Sequence, residues 1–171
     1  MTKKDMNNDW TYTSLFVSPQ DSSDEAIYQL DNFEGDMEDP DDNCPLSFYE
    51  SLPIPEVLVE SFGDDSEECK NKNYAKTGYK SLFEYTKKRW GTPYDPVDVS
   101  LEYMERHTDN ETLKYEFRTQ DGHCLPWLAE VSSQFPLLVF EITCQNELDL
   151  FDSFDAVYIN GKQVSFNTHK N

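Results

Sequence analysis

The sequence predicts an α+β sandwich: a largely antiparallel sheet with helices packed on one face. Two observations carry this. Apolar stripes of helical period are interspersed along the chain with short strand-type segments that alternate or run apolar. The strands of the C-terminal half are joined by short turns of hairpin type. The 171 residues suit one domain, and although hydrophobic residues are only 37% of the chain, aromatics reach 14% and can supply a core.

The elements follow in order. Residues 1–9 are polar and read as a flexible terminus. Trp10 to Ser18 is rich in aromatic and β-branched residues and reads as a strand stopped by Pro19. Ser22 or Ser23 caps a helix with Asp24 and Glu25 in its first turn; Ala26, Ile27, Leu30 and Phe33 form its apolar stripe, and Gly35 ends it. An acidic loop, 34–45, follows. Leu46 to Leu52 reads as a short strand, and Pro53-Ile-Pro55 forces an extended turn. Glu56 to Phe62 makes a short helix, and 60–80 reads largely as an exposed polar insertion. Ser81 to Trp90 is helical in spacing, and Gly91 to Pro96 is a rigid turn.

Asp98 to Thr108 and Thr112 to Thr119 pair as strands around Asp109-Asn110, the second with Leu113, Tyr115 and Phe117 on one face. Pro126 opens a helix whose stripe is Trp127, Leu128, Val131 and Phe135, with Pro136 as its stop. Leu137 to Thr143 is a central, near-continuous apolar strand. Ala156–Ile159 and Gln163–Phe166 flank Asn160-Gly161, a type I′ hairpin signal. One domain is expected over 10–168.

The formal net charge is −20, from 34 acids against 14 bases. It argues against direct binding of nucleic acid or an anionic membrane, since both demand Lys and Arg. No apolar run approaches the length of a membrane span, and no apolar segment follows the two N-terminal lysines, so a cytoplasmic location is expected. The charge is uneven. Residues 21–68 hold 17 acids and no base; 70–90 hold seven bases and one acid, Glu84; 91–171 hold 14 acids and five bases. Such runs repel themselves, and the ordinary reading is a solubilising surface.

Five segments resemble a known family: Trp10-Thr-Tyr-Thr13; Leu46-Ser-Phe48 followed by Leu52-Pro-Ile-Pro-Glu56; Arg89-Trp-Gly-Thr-Pro-Tyr-Asp-Pro-Val-Asp-Val99; Pro126-Trp-Leu128 with Phe135-Pro136; and Phe140-Glu141. Their order over residues 10–165 is similar to the YubB-type ferredoxin-like domain of phage and plasmid proteins. The pattern carries a Lys and a second Trp where this chain has Pro93 and Tyr94, and an Asn where it has Thr13, so a family site built on those positions is altered here. The resemblance implies a ferredoxin-like sandwich and a mobile-element origin. It implies no activity.

No catalytic constellation stands out. Cys44, Cys69, Cys124 and Cys144 lack the close pairing of zinc ligands, and Cys144 reads as a small buried hydrophobe. His123 and Cys124 are adjacent in an extended stretch and would point to opposite faces. Asp95 and Asp98, with Glu102, suit a metal less well than turn capping. There is no phosphate-cradling, zinc-protease or nucleophile-elbow motif. No cofactor is expected.

The acidic surface is the remaining candidate. Carboxylates on successive helix turns or alternate strand positions approach the charge density of duplex DNA, about one per 1.7 Å. The candidate partner-binding residues are Glu34, Asp36, Glu38, Asp39, Asp41 and Asp42; Asp64, Asp65, Glu67 and Glu68; and Glu147, Asp149, Asp152 and Asp155, with Phe151 and Phe154 as apolar anchors. The expected function is a non-enzymatic inhibitor of a host defence nuclease, a CRISPR effector or restriction enzyme, through acidic mimicry of nucleic acid. The alternative is an accessory protein-interaction module whose acidity only confers solubility. An enzyme is the third reading, with no constellation behind it.

Overall fold

The computed structural model describes residues 9–105, 111–149 and 152–169. Apart from Asp9, the expected flexible terminus lies outside them, as do the expected turn at Asp109-Asn110 and Phe151. The elements, in chain order, are β1 (Trp10–Pro19), α1 (Asp24–Met37), α2 (Phe48–Ser51), α3 (Glu56–Glu60), α4 (Glu67–Thr77), α5 (Leu82–Arg89), β2 (Val97–Glu105), β3 (Glu111–Gln120), α6 (Leu125–Gln134), β4 (Leu138–Asn146), β5 (Ser153–Ile159) and β6 (Lys162–Thr168).

The six strands form one antiparallel sheet in the order β2-β3-β1-β4-β5-β6. Its first four strands, with helices in the two crossovers, repeat the β-α-β-β-α-β order of ferredoxin-like domains. The last hairpin extends the sheet past β4. Asn160 and Gly161 both take positive φ, 49° and 76°, the type I′ turn that the dipeptide favours.

One sheet face is covered. Leu15 and Val17 of β1, Leu113, Tyr115 and Phe117 of β3, and Leu138, Phe140 and Ile142 of β4 are all buried there. Phe33 of α1 packs edge-on to Tyr115, Phe135 and Phe140 at 6.0, 5.3 and 5.4 Å between ring centroids. Phe48 meets Trp90, Phe117 and Trp127 at 5.9, 6.1 and 4.6 Å. Full burial of each such ring contributes roughly 1.5–3 kcal/mol.

Four local expectations are corrected. Gly35 does not end α1. Ser23 caps its start through the Ala26 amide, and the helix runs to Met37, whose side chain is buried. Ile27 is 38% exposed and leaves the stripe; Met37 extends it one turn further, so Glu34 and Asp36 are helical and the acidic loop begins at Glu38. Residues 46–52 are not a strand. Ser47 accepts from the Glu50 amide, and the Asp95 carboxylate accepts from the amides of Phe48 and Tyr49, so the segment turns into α2. The insertion at 60–80 is largely helical: α4 starts at the Ser66 cap and ends at Gly78, φ 79°. Its only buried residue is Asn73, so it has no apolar stripe to betray it.

Candidate functional site

The three acidic clusters occupy different surroundings. In the first, α1 delivers Glu34 and Asp36, and the chain then closes a tight loop. The Asp39 amide donates to the Cys44 carbonyl at 2.8 Å and the Cys44 amide to the Asp39 carbonyl at 3.1 Å. Asp39 turns inward, its Oδ1 accepting from the amides of Asp41 and Asp42 at 3.0 and 3.3 Å. The loop therefore holds Asp41 and Asp42 out at its tip, both exposed. Glu34 reaches edge strand β2, where the Tyr103 hydroxyl donates to Glu34 Oε1. That bond to a carboxylate pushes the Tyr103 pKa up to about 12. Among the described residues, no Lys or Arg forms an ion pair with any carboxylate of this cluster.

The second cluster, Asp64, Asp65, Glu67 and Glu68, lies beside bases. Hydrogen bonds from the Ser66 side chain and from the Ser66 amide, the latter at 3.0 Å, hold the Asp64 carboxyl below the usual range. Glu67 pairs with Lys70 at 3.5 Å. Asp64 and Asp65 share a cleft with Lys70 and Lys80. The cluster is thus locally compensated, and its carboxylates do not form a continuous anionic strip.

The third cluster is partly consumed within the fold. Glu147 accepts from Arg118 Nε at 2.6 Å and Nη2 at 2.8 Å, a paired contact that lowers its pKa; Arg118 also reaches Asp98 at 3.1 Å. Asp155 contacts Thr143 Oγ1 at 2.7 Å and His169 Nε2 at 2.6 Å. Asn146 caps the turn after β4: its Oδ1 accepts from the Asp149 amide, and the Asp152 amide donates to the Asp149 carbonyl. Phe154 is half-buried, stacked on Phe166 at 5.1 Å and edge-on to His123 at 5.3 Å, so it offers a partner less than a free ring.

Sequence reasoning missed the open face of the sheet. The registers Tyr12↔Arg118, Ser14↔Glu116 and Phe16↔Lys114 place these six side chains on it. Lys114 bonds Glu116 at 2.9 Å and reaches Glu102 at 3.6 Å, while its ammonium lies 5.9 Å from the Phe16 ring centre; Arg118 lies 4.5 Å over Trp10. Both cations here are already covered by carboxylates and rings. Only alternation along β3, which puts Lys114, Glu116 and Arg118 together, hinted at this array.

The turn at 89–99 is a structural hub. Trp90 Nε1 donates to the Leu52 carbonyl at 2.9 Å and Thr92 Oγ1 to the Gln120 carbonyl at 2.7 Å. Gly91 sits at φ 87°, and a Cβ there would lie 2.3 Å from the His123 carbonyl oxygen. Asp95 caps α2, 47 residues away, rather than its own turn. Asp98 is engaged by Arg118. Among the described residues, no group of three or more His, Cys, Asp or Glu side chains is placed to hold a metal ion. Cys124 and Cys144 are buried, which pushes the Cys144 thiol up to about 12, while His123 is exposed and packs edge-on against Phe154. No helix among the described residues is long and apolar enough to cross a membrane.

No protein-family model matches the chain, and no curated protein matches it. Among solved structures it is similar to protein api92 from Yersinia pseudotuberculosis, of family model DUF1281, at 14% identity and a TM-score of 0.44. The match covers 56% of this chain, which spans 32% of that one. A likeness at that level carries no argument here.

Proposed function

We propose that this protein is a non-enzymatic inhibitor, of phage or mobile-element origin, that occupies the nucleic-acid site of a host defence nuclease through an acidic surface centred on residues 34–42. The observation behind this reading is that, among the described residues, no Lys or Arg forms an ion pair with a carboxylate of the first cluster, which sits on a helix end and a loop closed by its own hydrogen bonds. Unpaired anions on a rigid support attract a basic channel over long range, strongly at low salt and weakly at high salt. The second and third clusters are compensated by Lys70, Lys80 and Arg118 and contribute less. The resemblance to phage and plasmid domains supports a target in host defence, a CRISPR effector or restriction enzyme.

The test is to measure DNA binding by candidate nucleases across a salt series, with the protein added. Loss of DNA binding at low salt that recovers with salt supports the reading; undiminished DNA binding at low salt for all candidates removes it.

A second reading, an accessory interaction module with solubilising acids, draws on a different feature. Phe62, Phe83 and Tyr94 form an exposed aromatic row, at 5.9 and 5.7 Å between ring centroids, away from the 34–42 cluster in sequence. A partner gripped there would be insensitive to neutralisation of residues 34–42.

A further inference from the structure

We infer that the cleft between α3, α4 and α5 docks an acidic segment of a partner protein, anchored by one aromatic side chain. This surface is built from other elements than residues 34–42 and is opposite to them in charge. It rests on the second reading above and gives the partner of the aromatic row its chemistry.

The cleft measures about 360 Å³, and its lining includes Leu58, Phe62, Lys70, Asn73, Lys80 and Phe83. Leu58, Phe62 and Phe83 make its apolar side; Phe83 in turn meets Tyr94, so the row continues past the cleft. All three rings are exposed, Phe62 to 65%. Apolar surface gathered into one patch marks a binding site, as singly scattered residues do not. The α4 wall is polar. Asn73 holds it through Ser61 Oγ and the Lys80 carbonyl, and no apolar residue of the helix is buried. An incoming aromatic side chain would therefore cover apolar surface that the fold itself leaves open.

The charge around the cleft sets the sign of the partner. Residues 70–90 hold seven bases and one acid in a chain of net charge −20. Lys70, Lys88 and Arg89 pair with Glu67, Glu84 and Glu130. Among the described residues, Lys72, Lys76, Lys80 and Lys87 form no ion pair, and all four are exposed. Lys80 lines the cleft; Lys76 lies one turn from Asn73 on α4, and Lys87 one turn from Phe83 on α5. Cations beside an exposed aromatic row suit carboxylates that flank an apolar anchor. Single-stranded nucleic acid has the same sign but fits less well. It stacks bases on open ring faces, whereas these rings meet edge to face, at 75° and 87°. It also brings an anion with every nucleotide past Asp64 and Asp65 of the same cleft. An acidic segment can place its few carboxylates on the lysines alone.

The experiment titrates the whole chain, isotope-labelled, at about 0.15 M salt, where a Debye length of about 8 Å screens distant acids more than adjacent lysines. The probes are the peptide Asp-Glu-Trp-Glu-Asp, its amide counterpart Asn-Gln-Trp-Gln-Asn, the anchorless Asp-Glu-Ala-Glu-Asp, and oligothymidine. The acidic Trp peptide is expected to shift the amide signals of Phe62, Lys80 and Phe83 saturably and to slow hydrogen exchange in α4. It should bind about fivefold more tightly than either altered peptide. Lys80→Gln combined with Lys87→Gln, and separately Phe62→Ala, should each weaken it about fivefold at unchanged melting temperature, because these side chains are exposed. No binding, equal affinity for the acidic and amide peptides or for the Trp and Ala peptides, or shifts centred elsewhere would each overturn the inference. Tighter binding of oligothymidine at the same residues would overturn it in favour of nucleic acid. Equal binding of the amide peptide would leave the aromatic grip of the second reading standing without an acidic partner, whereas no binding of either Trp peptide would remove that reading too. Nuclease inhibition by the 34–42 surface is read separately, by DNA displacement.

Discussion

The Asp95 carboxylate accepts the Phe48 amide at 2.6 Å, tying the turn after α5 to the end of the acidic loop. It also takes Ser47 Oγ at 3.2 Å and the Tyr49 amide at 3.3 Å. This one side chain decides that residues 46–52 turn into α2 rather than extend, and so fixes where the loop carrying Asp41 and Asp42 leaves the core.

Asp95→Ala should therefore cost about 2 kcal/mol in urea unfolding, since three donors at a helix start lose their acceptor. Burial outweighs these donors and raises the folded-state pKa of Asp95. Its contribution is thus fully present below the unfolded-state pKa and is lost as pH rises through the folded-state value. The stability difference between wild type and Asp95→Asn should shift in favour of wild type as pH falls towards the ordinary Asp value of about 4. A pH-independent difference would contradict this.

Gly91→Ala should be severely destabilising. The residue sits at φ 87°, and the added Cβ would lie 2.3 Å from a backbone oxygen and 2.7 Å from the Pro126 ring. The backbone conformation alone costs about 1–3 kcal/mol for a non-glycine residue, and the clash adds to it. Thermal unfolding monitored by tryptophan fluorescence reads this directly, because Trp90 is the neighbouring buried side chain.

Helix α4 should open independently of the rest. Asn73 Nδ2 holds it through Ser61 Oγ at 2.9 Å and the Lys80 carbonyl at 3.1 Å, and no apolar residue of the helix is buried. Hydrogen exchange is expected to be fastest at its amides among the long helices. Asn73→Ala should speed it further while leaving exchange in β1 and β4 unchanged.

Arg118→Gln should expose a second anionic patch. With the guanidinium gone, Glu147 and Asp98 lose their shared cation. Affinity for a polycationic probe such as oligolysine should rise at low salt, with little change in melting temperature, because the pair is exposed. Unchanged or reduced affinity at low salt would contradict this.

Local signals were readable in the chain, and distant ones were not. Ser23 before Asp24-Glu25 and the Asn160-Gly161 dipeptide carry their own geometry, so the start of α1 and the last hairpin are legible in the chain. The alternation of Leu113, Tyr115 and Phe117 marked the buried face of β3. The Leu46–Leu52 segment misled because its decisive partner, Asp95, lies 47 residues on. Capping by Ser66 and Gly78 was present around α4, but without an apolar stripe those caps resembled loop residues. At the candidate site, composition located the carboxylates but not their state. Only folding reveals that Glu147 spends its charge on Arg118, 29 residues away, while Glu34 meets a tyrosine 69 residues away and no base among the described residues.

One displacement measurement tests residues 34–42 as the docking surface most directly. Labelled duplex DNA bound to a candidate CRISPR effector or restriction nuclease is titrated with the wild-type protein and with a variant carrying Asp36→Asn, Glu38→Gln, Asp41→Asn and Asp42→Asn, across a salt series. Asp39 is left intact because it closes the loop. Wild type is predicted to release the DNA at low salt, with potency falling as salt rises, and the variant to lose at least tenfold in potency with its fold unchanged. Equal potency of the two proteins, or no release from any candidate at low salt, would contradict the assignment of residues 34–42 as the docking surface.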